Sequence, residues 1–241
     1  MQGTAGKNKG EKTVLKQIFK TTNFLSSCAG GKYWERKALD RRRKPANAVI
    51  KEYVVPKIKE VSKIITFSKK TKLLDIGAGN GFFTFYFDKI CDVCGIDSSE
   101  KMLEMNPVKK TCQMDARRLK FKDNSFDVVF CHAVLHHIQE MDSVIQEMKR
   151  VSGKYVVIME PNRNNLLMFI FSAIVKEERQ ALKFSLSFLK RLIKKNGLNI
   201  IDAFSYGQIV PNKTPAFLLP LCRLFNFRHA IGMTNIIIAE V

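Results

Sequence analysis

Two rhythms of apolar residues divide the chain. Across residues 46–65, Val49, Ile50, Val54, Ile58, Val61 and Ile65 recur at the spacing of one helix face. Pro56 falls inside this run, and a residue that lacks an N–H is expected to kink the helix or split it in two. From Lys72 the pattern changes to short apolar runs that alternate with helical segments. Residues 72–75, 93–97, 112–115, 126–130 and 154–159 read as strands. Between and after them, helices are expected over about 82–90, over 98–103 behind a serine cap, over 143–150, and from Ser185 to a stop at Gly197. Two last apolar runs, 198–204 and 233–241, are separated by about 28 residues without a helical pattern and suggest an antiparallel closing pair. Strands alternating with helices at this spacing define an α/β layer with a mainly parallel sheet. No repeat is evident.

Composition narrows the class. The chain has 241 residues, 46% hydrophobic and 26% charged, enough to bury a core without staples. Six unevenly spaced cysteines make no disulfide framework and favour a reducing compartment. The longest apolar run, residues 166–175, is about half of the ~20 residues that span a bilayer. The first twenty residues carry lysine and glycine but no apolar signal core. A cytoplasmic location is the expectation. Of the net charge of +19, residues 1–72 supply +14. That basic segment, with Phe19, Phe24, Tyr33 and Trp34 thinly interspersed, would attract an anionic substrate, RNA or a membrane surface, or simply be solvated.

Asp75-Ile-Gly77-Ala-Gly79-Asn-Gly81 lies where a strand ends and a helix begins. Ligands of open α/β sheets bind there, and glycine lets the backbone approach them closely. The spacing is G-x-G-x-G. The dinucleotide fingerprint would place its third glycine at Phe82, and no Gly-Lys-Ser/Thr follows, so NAD and the phosphates of an NTP are disfavoured. Asp97 ends the next strand, 22 residues on, where a carboxylate can accept ribose hydroxyls. Asp115 ends the third, where an adenine amino group could sit. A nucleoside-like cofactor without a pyrophosphate is the reading.

These pieces, with Gly95-Ile-Asp-Ser-Ser-Glu-Lys-Met-Leu103, Asp115-Ala-Arg-Arg-Leu119, the run from Phe126 to His137 and Val156-Val-Ile-Met-Glu-Pro161, resemble the class I S-adenosylmethionine-dependent methyltransferases of the type 11 group. The resemblance covers about residues 70–162. It implies a three-layer Rossmann-like sandwich with a seven-stranded, mostly parallel sheet whose last strand is antiparallel. Residues 1–66 would then be a basic N-terminal helical extension or lid, and residues 67–241 the methyltransferase domain. The resemblance further implies S-adenosylmethionine as cofactor and S-adenosylhomocysteine as product. Gly77, Ala78 and Gly79 would pack beside its methionine part and Asp75 orient its amino group. Asp97 would hold the ribose, Ser98 and Met102 flank the adenine, and Asp115 and Ala116 meet its edge. Cys131 and His132 would border the sulfonium, with Tyr33, Trp34 and Arg36 in a lid.

Methyl transfer asks mainly for alignment, and for a base only when the acceptor is a hydroxyl, an acidic carbon or a protonated amine. His132, His136 and Glu160 are the catalytic candidates, with only one of His136 and His137 expected to reach substrate. Cys91-x-x-Cys94 lacks partners for zinc, and no metal set is expected. The Asn/Asp-Pro-Pro-Tyr of base-amine methyltransferases is absent after the fourth strand. Apolar residues across 163–184 and 207–232 suggest a hydrophobic acceptor pocket or a cap on the sheet edge. The acceptor is therefore expected to be small or lipid-like, with an anionic group and peripheral membrane contact both conceivable. RNA docking through the basic region is the alternative, and a non-catalytic partner subunit on the same fold is a third.

Overall fold

The computed structural model describes residues 42–241. The expected lid residues Tyr33, Trp34 and Arg36 lie outside them. Helix α1 (Ala48–Ser62) is capped by Asn47, whose side chain accepts from the Val49 amide at 2.9 Å. It buries Val49, Ile50, Tyr53, Val54, Ile58 and Val61. The split expected at Pro56 does not occur: one helix runs through it. The Glu52 carbonyl, which loses its helical donor to the proline, instead lies 3.5 Å from the Asn226 side-chain amide.

The sheet consists of β1 (Lys72–Ile76), β2 (Asp92–Asp97), β3 (Thr111–Gln113), β4 (Phe126–His132), β5 (Ser152–Pro161), β6 (Asn199–Tyr206) and β7 (Thr234–Glu240). Their spatial order is β3-β2-β1-β4-β5-β7-β6. β1 to β5 pair in parallel, and β7 runs antiparallel between β5 and β6. Chain order therefore reverses between β1 and β4, and their carboxyl ends open a crevice there.

Period-two alternation sends each strand's side chains to two separate cores. Leu73, Val128, Phe130, Val157 and Met159 pack with α1 and with the short helix α2 (Thr84–Phe87). Leu74, Val129, Cys131, Val156 and Ile158 pack on the other face. That face is covered by α4 (Met141–Val151) and α6 (Leu186–Lys195), chain-order neighbours of α3 (Glu100–Glu104) and α5 (Leu166–Ile174). Helix α1 shares a core with the sheet.

Several boundaries move. The phenylalanine-rich helix shortens to four residues, and the third strand ends at Gln113, leaving Asp115 two residues beyond it. The stretch joining the last two strands holds a 3₁₀ turn at Ala216–Leu218 and helix α7 (Leu219–Arg223), both too short to register as a helical period. No helix among the described residues is long and apolar enough to cross a membrane.

Candidate active site

A cavity of about 810 Å³ opens at the carboxyl ends of β1, β2 and β4. One end is backbone. Gly77 has φ +71° and Gly79 φ +50°, conformations in which other residues are strained. A Cβ on Gly77 would lie 2.2 Å from a Val134 methyl. The Gly79 amide donates to Asp97 Oδ2 at 2.9 Å, and the Ser99 amide donates to Asp97 Oδ1 at 2.9 Å. Asn106 holds the same loop by donating to the Gly79 carbonyl at 3.2 Å. Asp97 is thus fixed at the rim; burial raises its pKa, against these amide bonds that lower it.

Asp75 is almost wholly buried and accepts from Thr84 Oγ1 at 2.6 Å. Burial pushes its carboxyl up to about 7, which the Thr84 bond opposes and the nearby Asp97 reinforces. Ala78, Ser98, Met102, Asp115 and Ala116 also line the cavity, so the expected cofactor set converges. Asp115 is shared: Arg117 grips it through Nε at 3.0 Å and through a second guanidinium nitrogen at 2.7 Å, and this pairing keeps its pKa low.

Two expected residues do not line the cavity. Cys131 is buried in the core under α4 and α6, and burial drives its thiol well above the usual range. The cause is the pleat: His132 takes the cavity face, so Cys131 takes the other. Glu160 is wholly buried outside the cavity and is no candidate to touch substrate. Its carboxylate accepts from the amides of Val134 and Leu135 at 2.9 and 2.8 Å and contacts His136 Nδ1 at 2.6 Å. It is a positioning residue that pins the turn after β4, where Ala133 carries a φ of +55°.

At the other end of the cavity, His132 Nε2 lies 2.6 Å from the Tyr53 hydroxyl. Burial, then the charge of Lys57, lowers His132 to about 3, so the ring is neutral; in the tautomer that carries its proton on Nδ1, Nε2 accepts from the phenol. Burial raises Tyr53 to about 12. The Phe83 ring stands 4.6 Å from His132, centroid to centroid. Tyr53 comes from α1, 79 residues away in sequence, and a tyrosine on the buried face of a helix gave no signal of this role. Met168 and Phe171 of α5, with Ile209, Val210 and Met233, give this end an apolar wall.

His136 and His137 both line the cavity. They lie in a 3₁₀ turn, Leu135–His137, with ring centroids 3.9 Å apart. His136 Nε2 is 3.1 Å from Glu178, a residue the sequence pattern did not single out. Burial pulls His136 down, but Glu160 and Glu178 outweigh it and hold its pKa at about 9.

A glycine cradle under an acidic strand end, at the reversal point of a sheet with one antiparallel strand, defines the class I methyltransferase fold. Comparison with known proteins agrees. Residues 74–157 match the family model of the methyltransferase domain. Demethylmenaquinone methyltransferase of Staphylococcus aureus is 36% identical over 125 residues, covering 46% of this chain. The chain spans about half (52%) of the length of that relative. Among solved structures, a SAM-dependent methyltransferase from Thermotoga maritima matches with TM-score 0.60 at 18% identity, over 80% of this chain and 90% of its own. Another from Archaeoglobus fulgidus matches with TM-score 0.59 at 19% identity, over 78% and 93%. At these identities the structural likeness concerns the fold.

Proposed function

We propose that the protein is an S-adenosylmethionine-dependent methyltransferase acting on a small, lipid-like acceptor. One observation carries the reading: a single cavity joins the glycine cradle and its two carboxylates to an apolar wall bearing the Tyr53–His132 pair. The donor set fits the cofactor. Asp97 presents a carboxylate already oriented by amides, and Asp75 is a carboxyl that an arriving ammonium would hold ionised. S-adenosylmethionine, when bound, supplies the methyl group on a sulfonium.

The chain's own residues then orient and exclude. Gly77 and Gly79 admit the methionine end, while Met102 and Ser98 confine the adenosine end. Phe83 and His132 form a dry floor at the β4 end. The Tyr53 hydroxyl is the polar atom available to an acceptor hydroxyl or enol, passing a proton toward His132 Nε2 as the acceptor loses its own. A neutral imidazole with so low a pKa is a weak base, so an acceptor that is itself acidic suits the pair best. The relative's name, demethylmenaquinone methyltransferase, supports an acceptor of that apolar kind. So does α5: Met168 and Phe171 face the cavity, while Leu166, Leu167 and Ile174 are 60–73% exposed, a surface suited to peripheral contact with lipid.

Methyl-labelled S-adenosylmethionine incubated with the protein and cell extract tests the reading. Label in the organic-soluble fraction is expected. Label destroyed by nuclease would overturn the acceptor class and make RNA the substrate.

A further inference from the structure

The acceptor end of the cavity carries a second group of ligating side chains that methyl transfer, as derived above, does not use. His136, His137 and Glu178 each offer one donor atom, and the three atoms lie within 4.8 Å of one another. His136 Nε2 and Glu178 Oε2 are 3.1 Å apart. Two ligands on one ion at bond lengths of roughly 2.1 Å stand about 3.0–3.4 Å apart, so this pair already has the separation of neighbouring ligands.

The outer shell is arranged as metal-binding histidines require. Glu160 holds His136 Nδ1 at 2.6 Å and is itself fixed by two backbone amides. The His137 ring is tied to the backbone of Glu177. In each ring one nitrogen is oriented by a carboxylate or a carbonyl, the device that aims the other nitrogen at a metal. Both histidines are on a 3₁₀ turn whose geometry Glu160 enforces, and Glu178 reaches them from the 3₁₀ segment Lys176–Lys183. All three ligands line the cavity, so the remaining coordination positions face the acceptor.

We propose that His136, His137 and Glu178 form a binding site for a first-row divalent cation, with Glu160 as its positioning residue. Two imidazoles and one carboxylate select Mn²⁺, Fe²⁺, Co²⁺, Ni²⁺ or Zn²⁺ over Ca²⁺ and Mg²⁺, which take all-oxygen sets. A cation at His136 Nε2 takes the place of the proton shared there with Glu178, and that proton leaves to solvent. The bound ion adds a second point for an oxygen of the acceptor, beside the Tyr53 hydroxyl. The site stands independently of which acceptor is methylated.

The test uses the full chain, stripped with chelator and titrated with Co²⁺ and, separately, Zn²⁺. One ion per chain is expected, with visible d–d absorption from Co²⁺ in a nitrogen–oxygen site. At an ion concentration a hundredfold above Kd, Tm should rise by roughly 5–10 °C. Glu178→Gln and His137→Ala should each lower affinity at least about tenfold. No uptake of either ion, or uptake unchanged in both variants, overturns the site. S-adenosylhomocysteine binding, measured on the same stripped protein, separates the two claims: if it fails while Co²⁺ binds, the methyltransferase reading falls and the metal site stands.

Discussion

The two ends of the cavity are built in different ways. The end proposed for the cofactor is backbone and strand ends: glycines at 77 and 79, with Asp75 one residue short of the end of β1 and Asp97 closing β2. The acceptor end is side chains from distant segments: Tyr53 of α1 against His132 of β4, and Glu160 of β5 against His136, itself facing Glu178. A site made of contiguous backbone fixes what must be constant for a cofactor. A site made of side chains on separate elements can change acceptor without disturbing the cradle.

The sharpest way to break that comparison is Tyr53→Phe. It keeps the ring in the core and removes the hydroxyl from His132, so turnover should fall roughly 10- to 100-fold. S-adenosylhomocysteine affinity should stay within about twofold. An equal loss in both would mean that the two ends are one unit.

The next effect is on pH. Burial lets Asp75 hold its proton up to about 7, while an ammonium beside it would favour the ionised form. Cofactor affinity should therefore fall as pH drops below about 7, by up to roughly tenfold per unit. Asp75→Asn should bind more weakly and lose that slope. Calorimetry of S-adenosylhomocysteine between pH 5.5 and 8 would show it, and a flat wild-type profile would remove Asp75 from the cofactor's amino group.

Cys131→Ala is the smallest. It trims a buried side chain facing α4 and α6, and should cost on the order of 1 kcal/mol of stability in denaturant unfolding. Cofactor affinity and turnover should not change. Lost binding would place the thiol at the cavity after all.

The same contrast explains how much the sequence disclosed. The cradle, both aspartates, Ser98, Met102 and the sheet were legible because each motif is local, a strand end and the turn after it. The β4 end misled by adjacency: Cys131 and His132 are consecutive, and the pleat sends them to opposite faces. The 3₁₀ turn that carries His136 and His137 side by side to the cavity was not legible either, since the pattern there reads as helical. Tyr53 and Glu178 left no local trace, because the partners that give them meaning lie 79 and 42 residues away.

The most direct test of the central claim is S-adenosylhomocysteine titrated into the wild type and Asp97→Ala. One site per chain is expected, weakened roughly 10- to 100-fold when the carboxylate that the Gly79 and Ser99 amides orient is removed. No binding by the wild type, or equal binding by both proteins, would contradict the account.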